Sequence, residues 1–356
     1  MRRRHFDALQ PICPRCALEG RAASPLRLAA VLEGSDEFVR EGLLHCGCED
    51  CRLEYPIIDG VPIIVPDVRG YIANNINQIH RRGDLSEEIE GVLGDALGPG
   101  SNLDQTRQHL SIYCWGHYGD LDPEEQQDDT LGSIVNCLTQ GFSLPINPSA
   151  PALDLGCSVG RTTFELAQRI DGLALGIDLN FAMLQTAQTV LQTGHLRYGR
   201  RRLGLVSDRR EFPVQLPASE LVDFWACDTL ALPFTAGQFG TVLAMNLLDC
   251  VASPRDLLAV VRSTLRIGGD AFITTPYDWS PNATPVEAWI GGHSQRGPDK
   301  GAAEPLLRAL LTPGAHPQSV NGFAITGEID DLPWLTRLHE RSTVTYSTHL
   351  VAVRAT

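Results

Sequence analysis

Long apolar runs are missing from this sequence. The longest, such as VPIIVP at residues 61–66, cover six positions, far short of the roughly 20 residues that a membrane-spanning helix needs. The opening MRRRHF has the charge of a signal-peptide n-region, but no apolar h-region follows it, so a secretory leader is not expected. Positive charge is also scarce. Lys and Arg total 29 against 43 Asp and Glu, a formal net charge of −14, and the pI is about 5.1. A broad nucleic-acid footprint needs clustered Lys and Arg facing phosphates. The acidic balance argues against one and leaves room only for a local basic patch.

What is present suits a globular chain. Hydrophobic residues make up 43% and charged ones 20% of the 356 positions. That is enough for a large core in two or three average domains, or in one large domain with an appendage. The ten cysteines are unevenly placed: five fall within residues 13–51 and the others are scattered in mostly apolar surroundings. This distribution points to a local metal site with reduced thiols elsewhere, and hence to a cytoplasmic protein rather than a secreted disulfide framework. Two C-x-x-C pairs, Cys13/Cys16 and Cys48/Cys51, are separated by a loop of about thirty residues. A C-x-x-C knuckle turns both thiolates toward one ion, and two knuckles complete a tetrahedral sulfur shell suited to structural zinc. Cys46 competes for the fourth place, but the two-residue spacing favours Cys48. The alternative is a set of free or redox-active cysteines. CRLEYPIIDGVPIIVPD then reads as strand, Asp59-Gly60 turn and strand, which is hairpin chemistry.

Cys48-x-x-Cys51 followed by Tyr55-Pro56-Ile57 and Asp59-Gly60-Val61-Pro62 resembles the small zinc-ribbon activator subunit of tRNA and release-factor methyltransferases. It is also similar to related short bacterial proteins. The resemblance covers about residues 8–67 and implies a structural, non-catalytic module at residues 1–67. Residues 68–105 are polar and glycine-rich, and are expected to form a helix and a linker before the main domain at 106–356.

PALDLGCSVGRTTFELA, residues 151–167, reads as buried strand, glycine turn and helix start. Such a turn places free backbone N–H groups where a polar or anionic ligand can dock. A dinucleotide fingerprint G-x-G-x-x-G is absent: counted from Gly156, Ser158 and Arg161 stand where the second and third glycines belong, which disfavours NAD and FAD. What remains, Asp154-x-Gly156-x-x-x-Gly160, resembles the first motif of class I S-adenosylmethionine-dependent methyltransferases. The resemblance implies that Gly156, Cys157 and Gly160 line the cofactor's amino-acid portion while Asp154 orients its ammonium group.

Further strands follow in order. GLALGIDLN ends in Asp178, 178 − 154 = 24 positions after the first acid. An acid there can accept both ribose hydroxyls, with Leu179 beside it; its other role would be to cap the next helix. VDFWACDTLALPF ends in Asp228 and Thr229, where the family places an adenine contact, and GTVLAMNLLD ends at Asn246. SPRDLLAVVRSTLRIGGDAFITTPY adds a helix capped by Ser253-Pro254 and a fifth strand, and STVTYSTHLVAVRA reads as an antiparallel edge strand. Strands alternating with helices imply a doubly wound α/β sheet, here a Rossmann-like seven-stranded methyltransferase sheet. Its ligand crevice lies beyond the carboxyl ends of the strands.

NLLDCVASPRDLL, TTPYDWSPNATPVEAWIGG and DDLPWLTRLHERSTVTYSTHLVAVR resemble the mercaptohistidine N-methyltransferase module of ovothiol biosynthesis, over roughly residues 110–354. The residues ahead of this stretch resemble a zinc ribbon and not the sulfoxide-synthase portion that precedes the module in some of those proteins. The resemblance implies a nitrogen or sulfur acceptor on a small or peptide-borne substrate, with a histidine- or thiohistidine-like compound as the candidate it suggests. Methylation of tRNA or protein with the ribbon as docking module, or a non-catalytic scaffold that binds S-adenosylmethionine, are the alternatives. Tyr277, Trp279 and Trp289 follow the fifth strand, and aromatic walls with one hydroxyl suit a flat, partly polar acceptor; a structural lid is the other reading. Asp249 joins them as a substrate contact. In SIYCWGHYGD, Tyr113, His117 and Tyr118 are expected to close over the cofactor, the two tyrosines also as substrate contacts and His117 as a candidate base; a surface helix is the other reading, and Tyr277 is the second catalytic candidate. Methyl transfer requires no cysteine nucleophile, so the thiols of Cys157 and Cys250 are read as packing groups. The six arginines between Arg197 and Arg210 are read as a solvated loop, with a substrate-carboxylate clamp as the alternative.

Overall fold

The computed structural model describes residues 1–125 and 131–356. Two short helices, α1 (Arg3–Leu9) and α2 (Pro14–Leu18), precede an antiparallel hairpin of β1 (Leu26–Gly34) and β2 (Val39–Cys46). The segment between the cysteine pairs is therefore strand rather than loop. A second hairpin, β3 (Glu54–Ile58) and β4 (Val61–Ile64), turns at Asp59 and Gly60. Both turn residues have positive φ, +52° and +83°, as a type I′ turn demands. Residues 68–97 hold two helices, α3 (Val68–Ile79) and α4 (Glu87–Leu97), where one was expected, and α5 (Asn102–Tyr118) and α6 (Ser133–Phe142) follow.

The main body then alternates β5 (Ala152–Leu155), α7 (Arg161–Ile170), β6 (Ala174–Asp178) and α8 (Phe181–Thr193). A separate hairpin of β7 (His195–Leu203) and β8 (Val206–Pro213) precedes β9 (Val222–Cys227), β10 (Phe239–Met245), α9 (Pro254–Thr264) and β11 (Leu265–Thr275). After α10 (Ala303–Leu311), β12 (Phe323–His339) and β13 (Ser342–Ala355) form a long antiparallel arm. The central strands are buried along nearly their whole length. Continuous apolar strands of this kind belong to a parallel sheet covered on both faces.

The sheet runs β1-β2-β3-β4-β9-β6-β5-β10-β11-β13-β12. Its last seven members form the expected Rossmann-like doubly wound sheet. The other four come from the N-terminal module, whose β4 pairs in parallel with β9 through Ile63↔Ala226 and Ile64↔Cys227. Module and body thus share one sheet of eleven strands. Asp223 strengthens the join by accepting hydrogen bonds from the Arg2 backbone at 2.9 Å and from Trp225 Nε1 at 2.7 Å. β13 is antiparallel as expected but lies between β11 and β12, so the edge strand is β12.

The arginine-rich stretch is the β7–β8 hairpin, not a solvated loop. Its six arginines are all ion-paired, to Glu90, Asp104, Asp122, Glu124, Glu125, Asp208 and Glu340 among them. Arg200 and Arg337 share Glu125, and Arg337 also lies 4.7 Å over the Trp115 ring. This network ties the hairpin, α5 and the C-terminal arm together. With every guanidinium engaged inside the protein, a substrate clamp is not built here.

Candidate active site

The site is laid out by the turn between β5 and α7. Gly156, Ser158 and Gly160 all have positive φ. A Cβ on Gly160 would stand 2.6 Å from the Phe224 ring and 2.9 Å from Ala187, and one on Gly156 would stand 2.9 Å from Leu247. Both glycines are fixed by close packing as well as by conformation. Cys157 is buried and fills the space beside Gly176, as its packing role requires. Arg161, at the third glycine position of the fingerprint, starts α7. It is buried, grips Asp120 through two 3.1 Å bonds, and also pairs with Glu165.

Asp154 lies inside β5, with Oδ2 accepting the hydroxyls of Thr162 and Thr163 at 2.6 and 2.7 Å. Burial pushes its carboxyl up to about 6, and the nearby charge of Asp178 adds to the shift. Asp178 ends β6, the neighbouring strand. Its Oδ2 accepts from the Ser158 backbone at 2.9 Å and its Oδ1 from Asn180 at 2.8 Å. The N-cap of α8 is Asn180, whose side chain accepts from Met183, which leaves Asp178 free of the capping role. Each Asp178 oxygen keeps a second lone pair for a ligand hydroxyl. The adjacent Leu179 exposes 44% of its surface, an apolar platform beside a diol acceptor. This donor and acceptor set fits an adenosine-type cofactor carrying an amino-acid tail.

Asp228 follows β9 at the same rim. Its Oδ1 accepts from the Leu230 backbone at 2.9 Å, and Thr229 beside it is buried. Asn246 follows β10 at φ +48° and accepts through Oδ1 from Thr274 at 2.8 Å. Sequence reasoning missed Tyr71. Its hydroxyl donates to the Leu179 carbonyl at 3.0 Å; burial, then the charge of Asp178, hold it protonated. It arrives on α3, in a segment read as linker, and no local signal marks it.

Over the acceptor side, Asp249 is 2% exposed and accepts from the Asp278 backbone at 2.8 Å. Burial raises its carboxyl to about 6. Tyr113 of α5 reaches this region: burial around its hydroxyl, then Cys250, Asp178, Tyr346 and Asp249, raise it. Tyr346, on β13, meets the charges of Asp278 and Asp249 as well, and was also missed. Cys250 is exposed, not packed, with its thiol 3.8 Å from Asp249. Trp279 and Trp289 stack at 5.9 Å with an interplanar angle of 13°. Trp289 donates to the Thr284 carbonyl, whereas Trp279 Nε1 is buried without a partner among the described residues.

Two residues of α5 turn away from the acceptor side. Tyr118 is fully buried and donates to the Val159 carbonyl at 2.8 Å, bracing the glycine turn instead of contacting substrate. His117 is buried beside Arg161, and both burial and that charge press its pKa to about 3. An imidazole held that far below neutrality is a weak proton acceptor. Tyr277 is the other expected catalytic group. It follows β11 at φ +57°, and its hydroxyl meets His349.

In the N-terminal module, the sulfurs of Cys13, Cys16, Cys46 and Cys51 lie within 4.8 Å of one another. Cys16 and Cys46 are 3.7 Å apart, and Cys13 and Cys51 are 3.8 Å apart. A tetrahedral zinc–thiolate shell has edges of about 3.8 Å, so the donor set fits zinc. Cys46 stands in this group where the spacing favoured Cys48. Alternation along β2 turns Cys46 inward with Leu44, while Cys48 falls in the following turn and donates its N–H to the Cys46 sulfur at 3.4 Å.

Residues 153–273, which hold the strands that build this rim, match the family model described as a methyltransferase domain. The O-methyltransferase cnsE of Penicillium expansum is 25% identical over 196 residues, covering 52% of this chain and 63% of that protein. The chain therefore spans less than two thirds of that relative. A solved structure concerning conversion of a disulfide bond into a thioacetal group during echinomycin biosynthesis is 17% identical with a TM-score of 0.40. The match covers 62% of this chain and 81% of that one. A structure of a Haloferax volcanii methyltransferase activator in complex with a methyltransferase is 16% identical with a TM-score of 0.37, over 62% of this chain and 88% of that one. Among the described residues, no helix is long and apolar enough to cross a membrane.

Proposed function

We propose that this chain transfers the methyl group of S-adenosylmethionine to a nitrogen or sulfur of a small or peptide-borne acceptor, with a histidine- or thiohistidine-like compound as first candidate. One observation carries the reading: Asp178 is bonded to the backbone of the glycine turn, and its charge is felt by Asp154 on the adjoining strand. A ribose diol would sit on Asp178, the cofactor ammonium near Asp154, and the adenine on the Leu179 platform close to Asp228. Tyr113, Asp249, Tyr277 and the indole pair would wall the acceptor side, and that acidic, aromatic surface suits a flat, positively charged or proton-bearing nitrogen heterocycle. Zinc in the cysteine module would be structural, because β3 and β4 belong to the same sheet as the catalytic body. That integration speaks against a detachable docking module for a macromolecule.

The test is release of S-adenosylhomocysteine from S-adenosylmethionine across an acceptor panel of mercaptohistidine, histidine, a histidine-containing peptide, a phenol and bulk tRNA. Turnover is expected with the imidazole compounds. Turnover confined to the phenol would instead follow the O-methyltransferase relative, and turnover confined to tRNA would restore the docking reading. Cofactor binding with no turnover on any of them would favour the scaffold.

A further inference from the structure

Beside the acceptor side lies a hydrogen-bonded chain that the proposed function does not use. His349 in β13 is 4% exposed, and both of its ring nitrogens are engaged. Nδ1 lies 2.6 Å from the Tyr277 hydroxyl and Nε2 lies 2.5 Å from Glu328 Oε1. The backbone explains the meeting. His349 pairs with Thr275, the last residue of β11, and Glu328 stands on the neighbouring β12. Tyr277, two residues past Thr275, takes a left-handed φ of +57° and donates its N–H to Thr275 Oγ1 at 3.0 Å. A bulky residue rarely adopts that conformation, and where it does the surroundings usually impose it.

One tautomer of His349 serves both contacts at once. An ionised carboxylate only accepts, so Glu328 receives Nε2–H, and the neutral imidazole presents the Nδ1 lone pair to the Tyr277 O–H. Carboxylate, imidazole and hydroxyl in this order form the arrangement that lets a weakly acidic hydroxyl give up its proton. Glu328, Asp330 and His349 also lie close enough together to suggest a cation site. Arg308 of α10 already fills that place, with Nε 2.6 Å from Glu328 and a guanidinium nitrogen 3.8 Å from Asp330. The charged groups facing the chain are thus Glu328 and Asp330 from β12, with Arg308 and Glu304 from α10.

We propose that Tyr277 is the general base of methyl transfer, that His349 and Glu328 are the positioning residues that enable it, and that the acceptor atom is a proton-bearing nitrogen. This rests on the methyltransferase reading of the site. When bound, S-adenosylmethionine supplies the methyl group: the N–C bond forms as the C–S bond breaks, and the sulfur keeps the electron pair. Tyr277 takes the proton leaving the acceptor nitrogen while its own proton passes to His349 Nδ1. Glu328 holds the resulting imidazolium, and Asp330, 57% exposed, offers the proton an exit to solvent. A thiol acceptor ionises near neutral pH and has little need of such a chain. A ring nitrogen that still carries its proton does need one, because its electron pair stays in the aromatic system until that proton leaves.

The full chain, labelled with 15N in histidine, gives a readout that does not depend on turnover. NMR correlations between ring nitrogens and ring protons, with the His349 signals assigned by their loss in His349→Gln, should place the His349 proton on Nε2. The Nδ1 resonance should move in Tyr277→Phe and the Nε2–H signal in Glu328→Gln. With mercaptohistidine as acceptor probe, Tyr277→Phe and His349→Gln should lower kcat by about 10²- to 10⁴-fold, leaving KM within about threefold. Glu328→Gln removes the charge that stabilises imidazolium, so the rising limb of kcat should move to lower pH and the plateau should fall. A proton on Nδ1, or folded Tyr277→Phe and His349→Gln proteins with kcat within about twofold of the parent, would overturn the proposal. An inert parent that shows the Nε2–H form would support the relay and count against mercaptohistidine as acceptor.

Discussion

Asp154 shows how much of the site's character is carried by single groups. It is deep in β5, and Oδ2 is already shared by two threonine hydroxyls. Its carboxyl sits at about 6 because burial penalises the charge, against about 3.9 for an unfolded Asp. The native state therefore binds this proton more tightly. The associated stability is complete below about pH 4 and is lost as the pH rises through about 6, a swing of at most ~3 kcal/mol. Urea unfolding of the parent and of Asp154→Asn from pH 4 to 7 should show the variant gaining about 1–3 kcal/mol relative to the parent over that range. A pH-independent difference would mean that the carboxyl is not buried as described. The sequence marks Asp154, Asp178 and the two glycines because their spacing is local. It does not mark Tyr71, Tyr346 or His349, because each reaches the rim from an element whose contacts are set only by tertiary packing. It also misplaces Tyr118, since a tyrosine beside a glycine turn reads the same whether its hydroxyl meets a ligand or a backbone carbonyl.

At the scale of elements, the cysteine module makes the clearest statement. Spacing alone favours Cys48, yet the period-two alternation of β2, with Leu44 and Cys46 inward and His45 half-exposed, brings the Cys46 sulfur to those of Cys13, Cys16 and Cys51. That signal is present in LLHCGC and becomes readable once the segment is known to be strand. Elemental analysis should give about one zinc per chain. Cys46→Ser should lose the metal and destabilise the module, and Cys48→Ser should keep both metal and fold until a chelator is added. Metal retained in Cys46→Ser and lost in Cys48→Ser would reverse the assignment. The β7–β8 hairpin was illegible for a different reason. Its arginines find partners on α4, on α5 and the segment after it, and on the C-terminal arm, with Glu125, Asp122 and Glu340 lying 75, 88 and 138 residues away in the chain. From sequence the cluster could only be a bare run of charge.

At the scale of the whole molecule, the order of the main strands was legible because the parallel strands are short apolar runs, three of which, β6, β9 and β10, end in or are followed directly by Asp178, Asp228 and Asn246. The size of the sheet was not. A separate module was expected in front of a seven-stranded body, but β4 continues the sheet past β9, a pairing that depends on an exposed edge and leaves no trace in local pattern. The charge distribution follows the same economy. Lys300 is the single lysine in the sequence, and many of the arginines are held in ion pairs among the described residues. The central claim is that the carboxyl ends of β5, β6 and β9 form one receptor for a sulfonium nucleoside. Isothermal titration calorimetry with S-adenosylhomocysteine tests it most directly, with Asp178→Ala, checked for its fold by circular dichroism, as the comparison. The prediction is about one site per chain in the parent and affinity at least about a hundredfold weaker in the variant, as expected for the loss of two hydrogen bonds to a charged group. No binding heat in the parent, or equal affinity in the two proteins, would contradict the account.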